Sequence, residues 1–435
     1  MRSQKRILIL GAGIAGLSAA WHLRLKGVSC LVFEKEDEVG GLCRSKRIHG
    51  FTFDYSGHLL HFKNPYVFNL VRRLLGKQFV KHERSAWISA CGRYTRYPFQ
   101  ANLFNLPSRV VKECLEGFVR AQEGRREKYI KKPTNFSQWT QRTFGAGIAR
   151  HFMAPYNAKF WTVLPEELTC EWLEGLIPVP SLSQVLEGAK KESTRQLGYN
   201  VHFWYPRRGG IEQLPRAFAK SVENIYTGSK ISRVDLDRKE IETSSGRREK
   251  FDVLISTIPL PEMSRTIRDL SKEMRVAFDR LRWNSIFNLN LGMNLNGDAS
   301  GRHWIYFPQR RFCFFRVGFP HNFSSDLTPA GKISLYAEVS YSERKPIDKR
   351  KAIPRIIRDL KKIGLLSPKG GICIKDVNDI EYGYPIYDRH YKTAREKILG
   401  FLNEKGIVPC GRYGSWKYMS MEDAILDGKR AAESI

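Results

Sequence analysis

The sequence predicts an α/β fold: a Rossmann-like dinucleotide-binding domain gathered from separated segments, a helical insert, and a mostly antiparallel sheet. Three observations predict it. The apolar run Ile7–Leu10 closes on Gly11-Ala12-Gly13-Ile14-Ala15-Gly16, helical periodicity runs through residues 103–197, and β-rich blocks recur between residues 283 and 340.

A continuous apolar run bounded by glycine is what a strand buried on both faces of a parallel sheet requires. Residues 14–26 then read as a helix and 30–33 as the second parallel strand. From 103 to about 197 the period turns helical with prolines as punctuation, which predicts several short helices. Residues 203–210 (Phe-Trp-Tyr-Pro-Arg-Arg-Gly-Gly) are a turn-rich re-entry, after which 230–259 alternates as strands do. Of these, 251–257 is a buried strand leading back to the first domain. Stretches 287–291, 304–307, 312–317 and 334–339 predict an antiparallel sheet. Residues 407–432 begin as a strand, turn at Gly411 and end as a helix. The expected division is 1–100, 201–265 and 401–435 for the dinucleotide domain, 101–200 for the helical domain, and 266–400 for the sheet domain.

Composition narrows the class. A chain of 435 residues, 42% apolar and 12% aromatic, has room for several domains and enough apolar surface for large cores, which excludes disordered and fibrous proteins. A formal net charge of +29 attracts polyanions, anionic headgroups or phosphorylated small molecules. Lysines and arginines are scattered and no nucleic-acid motif accompanies them, so nucleic acid is not an expected partner, while peripheral membrane contact stays open. The eight cysteines (Cys30, Cys43, Cys91, Cys114, Cys170, Cys313, Cys373, Cys410) form no CxxC pair, which argues against zinc, and no metal site is expected. They read as reduced thiols. Residues 1–6 lead straight into the first strand, so the apolar stretch there is not a signal segment, and the chain has no run of eighteen apolar residues; the expected location is the cytoplasm.

The chemistry is carried by glycines first. Gly11 permits a tight turn, Gly13 lets backbone approach a pyrophosphate, and Gly16 lets the helix pack on the strand with its N-terminus towards the phosphates. Glu34 ends the second strand eighteen residues after Gly16, where a carboxylate takes the ribose hydroxyls of an adenosine. NAD and FAD share this fingerprint. The stretch after Glu34 separates them: Val39-Gly40-Gly41-Leu42-Cys43-Arg44-Ser45 is a second glycine pair with a basic residue, and it resembles the extended fingerprint of amine-oxidase-like FAD proteins. Arg44 is placed to pair with the pyrophosphate. FAD is the expected cofactor.

Further segments resemble the UDP-galactopyranose mutase family, in order along nearly the whole chain. Ser56-Gly57-His58 resembles the segment that these mutases lay against the flavin ring, which puts His58 beside the isoalloxazine; His61 matches a second histidine of the bacterial pattern. Arg96-Tyr97-Pro98-Phe99-Gln100-Ala101-Asn102 is similar to a YPFQNN segment of the eukaryotic-type enzymes. Phe152-Met153-Ala154-Pro155-Tyr156-Asn157-Ala158-Lys159-Phe160-Trp161 is similar to their FMRPYNxKxW. Trp304-Ile305-Tyr306-Phe307-Pro308 with Phe315-Arg316, Gly383-Tyr384-Pro385, and Gly411-Arg412-Tyr413-Gly414-Ser415-Trp416-Lys417-Tyr418 complete the register, while Met421-Glu422-Asp423 looks like the bacterial form.

The resemblance implies a mutase interconverting the pyranose and furanose forms of a nucleotide-linked sugar through an N5–sugar adduct of reduced FAD, with no net redox and with NAD(P)H as a candidate external reductant. It implies His58, Arg316, Tyr384 and Tyr418 as catalytic residues. Gly11, Gly13, Gly16, Glu34, Gly40, Gly41, Arg44, His58, Arg412 and Glu422 would bind the cofactor, and Tyr97, Phe99, Asn157, Trp304, Tyr306, Arg316, Tyr384 and Tyr418 the substrate. The chemistry is consistent: a diphosphate needs a guanidinium that binds oxygens at two points, tyrosines add hydroxyl donors, and Trp304 and Tyr306 offer aromatic surface to a base. One departure stands out. Ala154 occupies the place of an arginine in the eukaryotic-type pattern, so one expected diphosphate contact is missing. The competing class is a true redox flavoenzyme of the amine oxidase, protoporphyrinogen oxidase or carotenoid desaturase type, and a flavin-binding protein without catalysis is a third reading. Sugar, base and oligomeric state are not legible in the sequence.

Overall fold

The computed structural model describes residues 5–124, 132–173, 175–192, 197–198, 200–294, 301–367 and 371–435. Residues 1–4 of the N-terminal hexapeptide, and 125–131, 174, 193–196 and 199 of the helical stretch, lie outside them.

Strand Ile7–Leu10 is buried along its length and sits in the middle of a five-stranded sheet ordered Ile407–Pro409, Val253–Ser256, Ile7–Leu10, Leu31–Phe33, Ile225–Tyr226, with every neighbouring pair parallel. Alternate side chains feed opposite cores, Ile7 and Ile9 on one face and Leu8 and Leu10 on the other. That is the period of a strand between two layers. Helix Ile14–Leu25 covers one face, and the C-terminal helix Met421–Glu433 packs on it so closely that a Cβ at Gly428 would lie 2.4 Å from the carbonyl oxygen of Ala15. Strands Val253–Ser256 and Ile407–Pro409 and the C-terminal helix thus return to the sheet of the first strand. Strands Ile231–Asp235, Glu240–Thr243 and Arg248–Lys250 form a small antiparallel appendage.

The second sheet has seven strands, ordered Ile372–Pro385, Trp283–Asn294, Lys332–Tyr341, Arg316–Gly318, Trp304–Tyr306, Ala86–Ala90, Arg93–Arg96. All pairs are antiparallel except Trp304–Tyr306 with Ala86–Ala90. Here the sequence boundary moves: residues 86–96, assigned with 1–100 to the dinucleotide domain, belong to this sheet. A short apolar run such as Ala-Trp-Ile-Ser-Ala does not carry the identity of its partner strand, which long-range pairing decides. The edge strand Ile372–Pro385 also went unforeseen, since it presents charged and polar residues along the edge, as exposed edges do.

The helical insert comprises Ser108–Gly124, Phe136–Ile148, Ala154–Trp161 and Leu182–Lys190. A π-helical turn, Ala149–Met153, precedes Pro155, which has no N–H to continue an ordinary α ladder. Through this break, residues 152–161 form a wall facing the second sheet.

Candidate active site

The end of strand Ile7–Leu10 is shaped by glycine. Gly11 has φ of +96°, and a Cβ there would fall 2.2 Å from Thr257 Oγ1, while one at Gly16 would fall 2.0 Å from the carbonyl oxygen of Gly11. The second glycine pair lies against the first: the Gly40 N–H donates to the Ala12 carbonyl at 2.8 Å, and a Cβ at Gly41 would come within 3.3 Å of Gly13 Cα. Helix Ile14–Leu25 begins with no side-chain cap and no acid in its first turn, so its N-terminal amides are left for an anion. Glu34 is buried and held in place, one oxygen accepting from Ala12 N–H at 2.7 Å and the other from Glu36 N–H at 3.0 Å. Arg44 donates through Nε to the Gly41 carbonyl at 2.9 Å and pairs with Glu36 at 3.2 Å.

Between this cradle and the second sheet lies the segment Ser56-Gly57-His58. Ser56 is left-handed, with φ of +81°, and a Cβ at Gly57 would meet the Tyr336 hydroxyl at 2.1 Å, so the chain passes here only as glycine. Among the described residues His58 Nδ1 is buried without a hydrogen-bond partner. Burial, then the charges of Arg412 and Arg316, pull its imidazole down to about 4, so it is neutral at physiological pH.

Two guanidinium groups thus flank His58. Arg316 is held by Glu338, which is 1% exposed and takes the Nε and Nη2 edge. Burial opposes the charge on Arg316, but Glu338 keeps it protonated. The Ser56 hydroxyl donates to the same carboxylate. The two-point contact expected between Arg316 and a phosphate is therefore limited to the Nη1–Nη2 end of the fork. Arg412 donates through Nε to the Met419 carbonyl at 2.9 Å and lies 5.3 Å from the Tyr384 ring and 5.2 Å from that of Tyr418. Among the described residues no carboxylate pairs with Arg412.

Beside these groups opens a cleft whose lining includes Tyr97, Phe152, Tyr156, Asn157, Tyr306 and Tyr418. Tyr384 stacks on Tyr418 at 5.9 Å and packs on Phe160 at 4.7 Å. Buried Asn284 ties the two walls by donating to the Phe160 carbonyl at 2.6 Å and accepting the Tyr384 N–H at 2.9 Å. Burial pushes the Tyr384 phenol up to about 12 and raises Tyr97, Tyr156 and Tyr306 as well, so these phenols are neutral hydroxyl donors.

Tyr97, Asn157, Tyr306 and Tyr418 line this cleft, Tyr384 stacks on Tyr418 with Arg412 beside both rings, and the charges of Arg412 and Arg316 reach His58. Phe99 and Trp304 stand elsewhere. Phe99 is fully buried and stacked behind Phe152, and Trp304 is 3% exposed behind Tyr306. The Glu422 carboxylate accepts the backbone N–H groups of Lys63 and Asn64 at 3.0 Å, fixing the chain that runs on from His58 and His61. His61 Nδ1 lies 3.0 Å from the His202 carbonyl. Sequence reasoning missed Glu338. Its signal was a single carboxylate in the otherwise uncharged interior of strand Lys332–Tyr341. Arg150, one turn before Ala154, does not supply the missing arginine: it is exposed and pairs with Glu113 at 3.5 Å.

The residues present fit a flavin dinucleotide. Glycines make room for backbone against a pyrophosphate, the helix N-terminus is uncapped, Glu34 is fixed at the strand end, and among the described residues Arg412 has no carboxylate counter-ion.

Fold and site together define a dinucleotide-binding flavoprotein, and the chain belongs to the flavin-containing amine oxidoreductase family, whose model matches residues 14–435. Within it the likeness is to the UDP-galactopyranose mutases. A crystal structure of reduced UDP-galactopyranose mutase superposes with a TM-score of 0.93 at 30% identity, over 99% of this chain and 95% of that one. A Klebsiella pneumoniae protein described as "Probable UDP-galactopyranose mutase" is 24% identical over 99% of this chain and 94% of its own length. Redox relatives match as well, among them protoporphyrinogen oxidase 2 of Arabidopsis thaliana, 24% identical over 68% of this chain and 63% of its own. The family resemblance read from the motifs stands, and the relatives imply a flavin cofactor. Among the described residues no helix is long and apolar enough to cross a membrane.

Proposed function

We propose that this protein is a flavin-dependent mutase that interconverts pyranose and furanose forms of a nucleotide-linked sugar, UDP-galactose being the first candidate, with reduced FAD and no net redox. The observation that carries this reading is the pair of guanidinium groups, Arg316 and Arg412, whose charges both bear on neutral His58 and on Tyr384 beside a tyrosine-lined cleft. An apolar polyene has no use for such cations, whereas a leaving diphosphate does.

When bound, reduced FAD supplies the nucleophile; the chain's own task is positioning. Arg316, steadied by Glu338, offers its Nη1–Nη2 end to the diphosphate. Tyr384 and Tyr418 donate hydroxyl hydrogen bonds to the same group. Tyr156, Asn157 and Tyr306 form the wall for the base. With alanine at 154, Arg412 is the second cation and serves both cofactor and substrate. NAD(P)H is the proposed reductant. The eight unpaired cysteines support a cytoplasmic, reducing setting.

The test is turnover. Dithionite-reduced holoprotein given UDP-galactopyranose should form the furanose isomer without stoichiometric use of NAD(P)H or oxygen, and oxidised protein should be inert. Steady reductant or oxygen consumption coupled to turnover favours the oxidase reading.

A further inference from the structure

Lys159 is a buried cation that the chemistry above does not use. It lies on helix Ala154–Trp161, between the cleft residues Tyr156, Asn157 and Phe160, and is itself 7% exposed. Its Nζ donates three hydrogen bonds, to the backbone carbonyls of Phe307 (2.7 Å), Gln309 (2.6 Å) and Phe314 (3.0 Å). Those carbonyls belong to the turn joining strands Trp304–Tyr306 and Arg316–Gly318. An ammonium has three N–H bonds, and all three are taken. Among the described residues no carboxylate pairs with it. A buried cation costs free energy that an apolar residue would not, and three backbone acceptors are a connection that an apolar residue would not make.

We infer that Lys159 is a positioning residue that sets the helical wall of the cleft, with Tyr156 and Asn157, against the strand pair that presents Tyr306 and Arg316. The connection is direct. Phe314 and Phe307 flank the two strands, the Phe307 N–H donates to the Phe315 carbonyl at 2.8 Å, and the Phe315 N–H donates to the Glu338 carbonyl at 2.9 Å, whose side chain holds Arg316. Releasing the turn therefore frees the strand end that bears Arg316.

The brace also titrates. Burial, then the charge of Lys345, pulls the Lys159 ammonium down to about 7. The groups facing it are Cys313 on the turn, Arg355 and Asp359 on helix Lys349–Lys362, and Lys345, whose Nζ lies 3.5 Å from the Lys159 carbonyl and which itself faces Arg310. Asp359 accepts the Cys313 N–H at 3.1 Å, and burial keeps the Cys313 thiol neutral. As pH rises through neutrality Lys159 loses a proton, and a neutral amine has two N–H bonds for three carbonyls.

The ligand arm of the test rests on the mutase reading and the exchange arm does not. On FAD-loaded protein, Lys159→Met should speed amide exchange in residues 307–316 by roughly tenfold while leaving residues 7–34 unchanged, because a local connection is lost and the cradle is not touched. Lys159→Arg, a cation at every pH, should restore most of the protection. In the parent, protection of 307–316, corrected for intrinsic rates, should fall between about pH 6 and pH 8.5, and Lys159→Arg should show no such fall. UDP affinity should weaken about tenfold in Lys159→Met through misplacement of Arg316. Unchanged exchange in 307–316, a change spread over the whole chain, or the same pH trend in Lys159→Arg would each overturn the inference. If Lys159→Met does not fold, the parent's pH trend against that of Lys159→Arg decides it. A parent that binds no UDP, with the exchange results as expected, counts against the mutase reading and leaves the brace in place.

Discussion

The cofactor cradle and the substrate cleft share one protein but are made by different means. The cradle is mostly backbone: Gly11, Gly13, Gly16, Gly40 and Gly41 clear a path, and its one fixed carboxylate, Glu34, is held by main-chain N–H groups. The cleft is mostly side chain, its lining drawn from Tyr97, Gln100, residues 152–161, Tyr306 and Tyr418, with Asn284, Glu338 and Lys159 holding the parts in register. A site of backbone gaps tolerates almost no added atom. A site of side chains tolerates change of surface but depends on buried polar ties. The relatives include both a probable mutase and an oxidase.

The largest expected effect falls on the cradle. Gly16→Val would force atoms into the Gly11 carbonyl, 2.0 Å from even a Cβ, and strain of about 1–3 kcal/mol or more at the pyrophosphate turn should leave the purified protein without flavin. Absorbance near the flavin bands, relative to protein, reads this directly; a yellow Gly16→Val protein would break the comparison.

A smaller, two-sided effect is expected at Arg412, which belongs to both regions. As a half-buried cation with no carboxylate partner among the described residues, it costs stability until an anion arrives. Arg412→Met should therefore raise the melting temperature of the flavin-free protein, by the equivalent of roughly 1–2 kcal/mol, while weakening flavin retention. Paired melting curves with and without FAD check it. A fall in both would show that Arg412 already has its compensation within the protein.

The smallest effect is in acid. Burial holds His58, His61 and His303 down to about 4, below their value in the unfolded chain. Between about pH 6.5 and pH 4 the unfolded chain takes up protons that the folded chain refuses, so stability is full above that window and falls as pH drops through it. Replacing His58 by Gln should make the decline shallower, measured as melting temperature against pH, and an unchanged slope would mean that His58 does not carry this linkage.

Legibility in the sequence divides along the same line. Gly11 to Gly16, Glu34 and the second glycine pair were readable because each answers a local demand of turn, helix packing or close approach. The parallel strand at 251–257 was readable from its apolar run. Residues 86–96 were grouped with the dinucleotide domain rather than with the second sheet, because pairing with Trp304–Tyr306 is a contact across more than two hundred residues. Phe99 and Trp304 occupy the family register yet stand one layer behind the cleft; an aromatic in a motif does not say which way its ring is packed. Glu338 and the Lys159 brace were not read, since buried polar ties depend on partners far off in the chain.

In the proposed function Arg316 holds the diphosphate independently of the flavin. Calorimetric titration of the parent, Arg316→Ala and Arg316→Lys with UDP and GDP, each protein carrying FAD, tests it directly. Arg316→Ala should keep its flavin spectrum and lose roughly 2–4 kcal/mol of affinity for the better nucleotide, with Arg316→Lys recovering part, since an ammonium lacks the planar fork. If Arg316→Ala binds that nucleotide as tightly as the parent, the diphosphate clamp is not at Arg316 and the mutase reading fails at its strongest point.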